Sequence, residues 1–202
     1  MISVVVTNYN YDKFLARCIR SLLNQTIPRS SYEVLVVDDA STDDSSRILS
    51  VFGNDITPIY MEKNSGLASS SNVGLRKAKG RYVVRVDSDD YVHPDFLKSI
   101  LLYMELRGGE TDAVALDYLK VDTEGKPLSI CDGIKEPIAC AIGFKFEVLE
   151  ELGFYSEGMR IGEDLDLRNR FDKLQLRMGH LTLPLYRYTQ HSESLTKQNL
   201  LR

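Results

Sequence analysis

Asp87, Asp89 and Asp90 put three carboxylates within four residues, directly after the β-branched apolar run Val83, Val84 and Val86. Such a run reads as a buried strand. Carboxylates crowded at its C-terminal end repel one another. Two unit charges about 6 Å apart cost roughly 3 kcal/mol even at an effective dielectric near 20. A divalent cation relieves that repulsion, and carboxylate oxygens suit Mg²⁺ or Mn²⁺. Taken alone, the letters DSDD equally describe a turn, because Asp and Ser favour turns and caps and Pro94 follows where a helix could start.

Two further clusters tip the balance. The run at 3–6 breaks at Thr7, Asn8, Tyr9 and Asn10, and the run at 34–37 stops at Asp38 and Asp39. If the three runs are parallel strands of one sheet, their polar ends line a single edge, where open α/β sheets bind ligands. A nucleotide with its metal gives these acidic ends a common purpose. Asp39 can accept hydrogen bonds from a base N–H or a ribose hydroxyl, and Tyr9 offers a ring face. Asp87 and Asp89 can hold a cation that a pyrophosphate also ligates.

The elements between these clusters fit that sheet. Phe14, Leu15, Cys18, Ile19, Leu22 and Leu23 form one apolar helical stripe, with Asp12 ahead of it and Pro28 beyond it. A second helix carries Ile48, Leu49 and Phe52 and closes at Gly53; a third strand covers 56–61. A helix over 67–78 stops before Gly80, and Phe96, Leu97, Ile100, Leu101 and Met104 mark another that ends at Gly108 and Gly109. The order β-α-β-α-β-α-β-α implies a mainly parallel sheet with right-handed crossovers. The second half is less regular. A strand at 113–116, a hairpin turn at 122–126, helices at 146–152 and 163–174 and a weakly alternating strand at 181–188 are expected. Pro184 suits an edge strand better than a central one. From His191 onward the sequence is polar, the mark of a mobile tail.

Composition narrows the class. The 202 residues, 43% apolar and 27% charged, suit one α/β domain. A net charge of −4 offers no basic field for nucleic acid or an anionic bilayer. No stretch has the length and apolarity of a transmembrane helix, and the N-terminal residues do not read as a signal peptide, so a cytoplasmic location is expected. Three cysteines, Cys18, Cys131 and Cys140, lack metal-ligand spacing and read as reduced thiols in or near the core.

Six segments, in order, resemble the family 2 inverting glycosyltransferases of the GT-A fold: VVVTNYN at 4–10, VVDDASTD at 36–43, NSGLASSSNVG at 64–74, GRYVVRVDSDDYVHPD at 80–95, GEDLDL at 162–167 and LYRYTQH at 185–191. The resemblance implies a single domain over 1–202, with a nucleotide-binding half at 1–110 and an acceptor-binding half and tail at 111–202. It implies donor contacts from Thr7, Asn8, Tyr9, Asp39, Asn72, Asp87 and Ser88, with Asp39 reading the base. Asp87-Ser88-Asp89 matches the DxD motif, in which Asp89 is the direct ligand of Mn²⁺ or Mg²⁺ and Asp87 faces the ribose and metal waters. His191 resembles a late histidine that reaches the metal or diphosphate in some relatives. Glu163 and Asp164 match the catalytic pair at a helix start, with Asp164 as general base. Apart from that context, two acids there would simply favour the helix dipole.

The family's usual Arg before Asn72 is Ser71 here, and Arg76 and Arg81 are the nearby cations that could compensate. The implied partners are a nucleotide-diphospho-sugar, a UDP-sugar foremost, and a saccharide or lipid-linked saccharide acceptor in bacterial surface polysaccharide or glycoconjugate synthesis. Peripheral membrane association is compatible with this role. A sugar nucleotidylyltransferase is the rival enzyme class, but it calls for a Gly-rich basic loop where Thr7–Asn10 stands. A phosphorelay receiver fits neither the length nor the acidic spacing. A catalytically silent relative that only binds nucleotide-sugar is the non-enzymatic rival.

Overall fold

The computed structural model describes residues 1–107, 109–159 and 162–192. The first half alternates as the apolar pattern demands: β1 (Ile2–Asn8), α1 (Asp12–Leu23), β2 (Tyr32–Asp38), α2 (Ser45–Val51), β3 (Thr57–Tyr60), α3 (Leu67–Lys77) and β4 (Tyr82–Asp87). A two-residue β5 (Tyr91–Val92) and α4 (Phe96–Arg107) follow. The second half comprises β6 (Ala113–Val121), β7 (Pro127–Cys131), β8 (Ile142–Lys145), α5 (Phe146–Glu151), α6 (Glu163–Lys173) and β9 (Met178–Thr189). No described helix is long and apolar enough to cross a membrane.

The strands form one sheet in the order β3-β2-β1-β4-β8-β6-β9-β5, with β7 paired to β6. β3, β2, β1 and β4 are all parallel, whereas β4–β8, β6–β8, β6–β7 and β5–β9 are antiparallel. The parallel sheet expected from the first half is therefore the N-terminal portion of a larger mixed sheet. Alternation along the strands divides the core in two. Val4, Val6, Val34, Val36, Val84 and Val86 pack under α1, α2 and α4. Val5, Leu35 and Val83 point the other way, beneath α3, α5 and α6. β1, β2 and β4 are thus buried on both faces, as their continuous Val/Ile/Leu runs require, while β3 forms the more exposed edge. The three cysteines are free and buried.

β9 corrects the expected edge strand. It lies between β6 and β5, and its parallel register with β6 slips from Leu116↔Leu181 to Tyr118↔Tyr186. Four residues of β9, 182–185, thus face the single Asp117 of β6. Pro184 sits in this irregularity, where its missing N–H removes no regular ladder bond. The polar tail is corrected at its first residue, because His191 is buried; 193–202 lie outside the described residues.

α3 approaches β1 and β2 closely through Gly74. A Cβ there would stand 2.4 Å from Val5 Cγ1 and 3.0 Å from Val37 Cγ2. Gly74→Ala is expected to destabilise the fold by about 1–3 kcal/mol through overpacking. Urea unfolding measures this, and an unchanged midpoint would show that the helix has room to retreat.

Candidate functional site

The register brings the three polar strand ends together. Asn8 pairs with Asp38 across β1–β2, and Thr7 pairs with Asp87 across β1–β4. The loops after β1 and β2 are then laced to each other. Asn8 Nδ2 donates to Asp38 Oδ1 at 2.8 Å, to Ser45 Oγ at 2.9 Å and to Ser41 Oγ at 3.2 Å. The Asn10 amide donates to Ser41 Oγ, Asn10 Oδ1 accepts from the Thr42 amide, and the Asp12 amide donates to Asp43 Oδ2. Ala40 takes a left-handed backbone (φ 59°) to make the turn, a conformation L residues seldom adopt. Asn8 and Thr7 are buried, whereas Tyr9 is 44% exposed, leaving its ring free to meet a planar group.

Asp39 is buried and turned toward the start of α3. Its two carboxylate oxygens accept the Ser65 and Gly66 amides, each at 2.8 Å. These bonds fix the carboxylate and leave lone pairs for a ligand. Asn72 spans from α3 to the segment before α6. Nδ2 donates to the Tyr155 carbonyl and Glu157 Oε1, and Oδ1 accepts the Tyr155 amide. Asn72 thereby holds Tyr155 in place. Arg76 pairs with Glu157 at 2.9 Å and Arg81 with Glu105 at 3.6 Å, both at the surface.

At the end of β4, one oxygen from each of Asp87, Asp89 and Asp90 lies within 4.8 Å of the others. The three carboxylates have different neighbours. Asp90 is fully buried and accepts from Tyr186 Oη at 2.6 Å and from the Thr189 amide at 2.7 Å, which tethers β9 to β4. Asp89 Oδ2 is 2.9 Å from His191 Nε2, and the His191 ring packs against Tyr11 and Phe14. Asp87 Oδ1 is buried with no hydrogen-bond partner among the described residues. Burial pushes the carboxyls of Asp89 and Asp90 up, and adjacent Asp87 adds to the effect in both. Carboxylates this close together could hold a divalent cation, with Asp87 and Asp89 as ligands and His191 beside them. Ser88 is buried with its hydroxyl unpartnered among the described residues.

α6 brings a second acidic pair, whose Glu163 feels the charges of Arg85 and Asp87. Gly162 precedes it in the left-handed region (φ 85°), and the helix opens with Glu163 and Asp164. Glu163 is buried; that burial pushes its carboxyl up, neighbouring Arg85 pulls it down, and Asp164 and Asp87 push it up again. Asp164 is half-buried and lines a recess of about 170 Å³ together with Ile142, Phe144, Tyr155 and Arg168. The recess is largely apolar, and an Asp164 carboxylate oxygen accepts the Leu165 amide at 3.0 Å.

The sequence profile of Glycosyl transferase family 2 matches residues 3–162. The chain belongs to that family. Among curated relatives of this family 2 chain, glycosyltransferase GlyG of Streptococcus pneumoniae is 36% identical over 125 residues, covering 60% of this chain and 40% of GlyG. Poly(ribitol-phosphate) β-N-acetylglucosaminyltransferase TarS of Staphylococcus aureus is 34% identical over 131 residues, 63% of this chain and 22% of TarS. The chain therefore spans less than half the length of these relatives. A crystal structure of S. aureus TarS in complex with UDP-GlcNAc superposes with a TM-score of 0.82 at 25% identity, covering 96% of this chain and 59% of that one. The GT-A architecture of this family 2 chain is shared with it.

Sequence patterns named Asp90 only as part of the acidic run and left out Arg85 and Tyr155. A cation interrupting the β-branched strand just before the acids was the available signal for Arg85. Asp39→Asn would oppose an amide N–H to one of the two backbone donors. It is expected to cost roughly 1.5–3 kcal/mol, the worth of a hydrogen bond to a charged group. Thermal and urea unfolding would measure that loss; full stability would mean that the α3 amides do not need the charge.

Proposed function

We propose that this domain transfers a sugar from a nucleotide-diphospho-sugar, a UDP-sugar foremost, to an acceptor hydroxyl with inversion at the anomeric carbon. The observation that supports this reading is that the strand ends bearing Asp39 and the Asp87–Asp89–His191 group emerge on one edge of a family 2 fold, with Glu163 at the start of α6 close enough to feel the charge of Asp87. Support for the donor comes from the structural similarity to TarS in complex with UDP-GlcNAc.

Each group has a distinct task. Tyr9 and Asp39 receive the base and its ribose, with Thr7 and Asn8 beneath them fixing the loop. Asp89 and Asp87, with His191, would hold Mn²⁺ or Mg²⁺, whose Lewis acidity offsets the charge gathering on the departing diphosphate. The precedent of a mannosyltransferase of the same fold in complex with GDP-Man and Mn²⁺ is consistent with such a site. Asp164 takes the acceptor's proton as the hydroxyl oxygen forms its bond to the anomeric carbon, while the bond to the diphosphate breaks on the opposite face. Glu163, buried behind it, orients the start of α6. The printed names of relatives, TarS and the minor teichoic acid biosynthesis protein GgaB of Bacillus subtilis, favour an acceptor from surface-polymer synthesis. A saccharide and a lipid-linked saccharide both fall within that class.

Asp164→Asn is expected to lower turnover by about 10²–10⁴-fold, the range of general-base catalysis, while UDP binding stays close to wild type. Near-normal turnover in that variant would remove Asp164 as the base. In a thermal-shift panel of UDP-, GDP- and dTDP-sugars, the matching donor at 100 times its Kd should stabilise by about 2.7 kcal/mol. That gain should vanish when EDTA removes Mn²⁺; a gain indifferent to EDTA would point to a metal-independent donor site.

A further inference from the structure

Arg85 lies on β4 between Val83 and Asp87, on the face covered by α3, α5 and α6, and is only 5% exposed. A guanidinium carries five N–H donors and keeps its charge, so burial obliges it to find acceptors. Its surroundings supply few. Nη2 reaches the Cys140 sulfur at 3.6 Å, and the Tyr155 ring lies 5.2 Å from the guanidinium carbon. Nε stands 3.5 Å from Asp87 Oδ1, too far for a well-made hydrogen bond. Among the described residues Nε, Nη1 and Asp87 Oδ1 all lack hydrogen-bond partners. Buried donors beside a buried acceptor, with the pair not closed, are an unmet demand that a group able both to accept and to donate would satisfy.

The position of the pair says which group that is. Asp87 belongs to the acidic end of β4, where the transferase reading puts the donor's diphosphate, and its side chain is 28% exposed. Tyr155, stacked on Arg85, lines the same recess as Asp164. Arg85 therefore meets Asp87 on one side and, on the other, a ring that lines the recess of Asp164. In an inverting transfer, the moiety held between leaving group and base is the sugar itself. A sugar hydroxyl accepts from a guanidinium N–H and donates to a carboxylate oxygen at once, which is what the unclosed pair lacks. A buried polar site of this kind penalises any sugar without the matching hydroxyl, because its own groups are then left unmet.

We propose that Arg85 is a specificity-determining residue of the donor site, reading with Asp87 a hydroxyl of the transferred sugar. This rests on the transferase reading. Arg85 then acts on the sugar and not on the nucleotide or its metal, and the two arms of one experiment separate these roles. UDP and a set of UDP-hexoses (UDP-GlcNAc, UDP-glucose, UDP-galactose) are titrated calorimetrically, with Mn²⁺, into the whole chain and its Arg85→Met and Arg85→Lys variants. In Arg85→Met the best UDP-hexose should lose tenfold or more in affinity, UDP should change less than twofold, and the spread among hexoses should narrow. Should Arg85→Met fail to fold, Arg85→Lys carries the comparison. It keeps the charge but loses the planar fork, and should lose threefold or more on the hexose alone. Equal losses for UDP and UDP-hexose would overturn the proposal and make Arg85 a brace for Asp87; unchanged affinities for both would overturn it outright. Wild-type chain that bound no UDP with Mn²⁺ would reject the transferase reading, and the proposal with it.

Discussion

β1 runs parallel between β2 and β4 in a register that sets Thr7 beside Asp87 and Asn8 beside Asp38. Everything chemical in this molecule depends on that pairing. Because all three strands point the same way, their polar ends emerge on one edge, and because each is buried on both faces, the alignment cannot drift. A slip of one residue would exchange the two core layers, moving Val4 and Val6 to the face of Val5 and driving Asn8 out of its contacts with Asp38 and Ser45. The site is thus set by the sheet and trimmed by the loops.

Gathering acids at that edge is costly, and the fold offsets the cost with different devices. Asp39 is satisfied by two backbone amides, Asp90 by a phenol and an amide, and Asp89 by an imidazole. Asp87 is left beside a buried guanidinium that it does not fully engage. Asp90, met on both oxygens within the fold, serves the architecture, while Asp87, three residues away in the same acidic run and left short on Oδ1, stays open to a ligand. Asn72 shows the same economy: its amide is taken up by Tyr155 and Glu157, and the Tyr155 ring in turn supports Arg85.

Much of the architecture was legible from periodicity. Continuous β-branched runs and helical stripes with Gly and Pro punctuation placed β1, α1, β2, α3, β4 and α4 because both signals are local. The acidic strand ends were equally plain. What could not be read depends on partners distant in sequence. Pro184 suggested an edge strand because sequence does not reveal a register slip that accommodates it inside a sheet. His191 looked solvated because its burial comes from Tyr11 and Phe14, at the far end of the chain. Arg85 sat in a run where alternation equally allowed a solvent-facing side chain, and only the covering of both faces turns it into a buried cation. The six family motifs covered this ground better than propensity did, since they carry the outcome of such distant contacts without displaying them.

The contact between Asp89 and His191 joins residues 102 apart in the chain, and that between Asp90 and Thr189 spans 99. Closing loops of that length is entropically slow, and neither bond can form until β9 has docked. During synthesis the parallel block of β1 to β4 can condense long before residue 191 leaves the ribosome. Throughout that interval the acids of β4 lack the imidazole, the phenol and the amide that later restrain them. The nascent domain therefore passes through a stage in which its most strongly repelling groups are its least restrained, and the last strand to arrive relieves them.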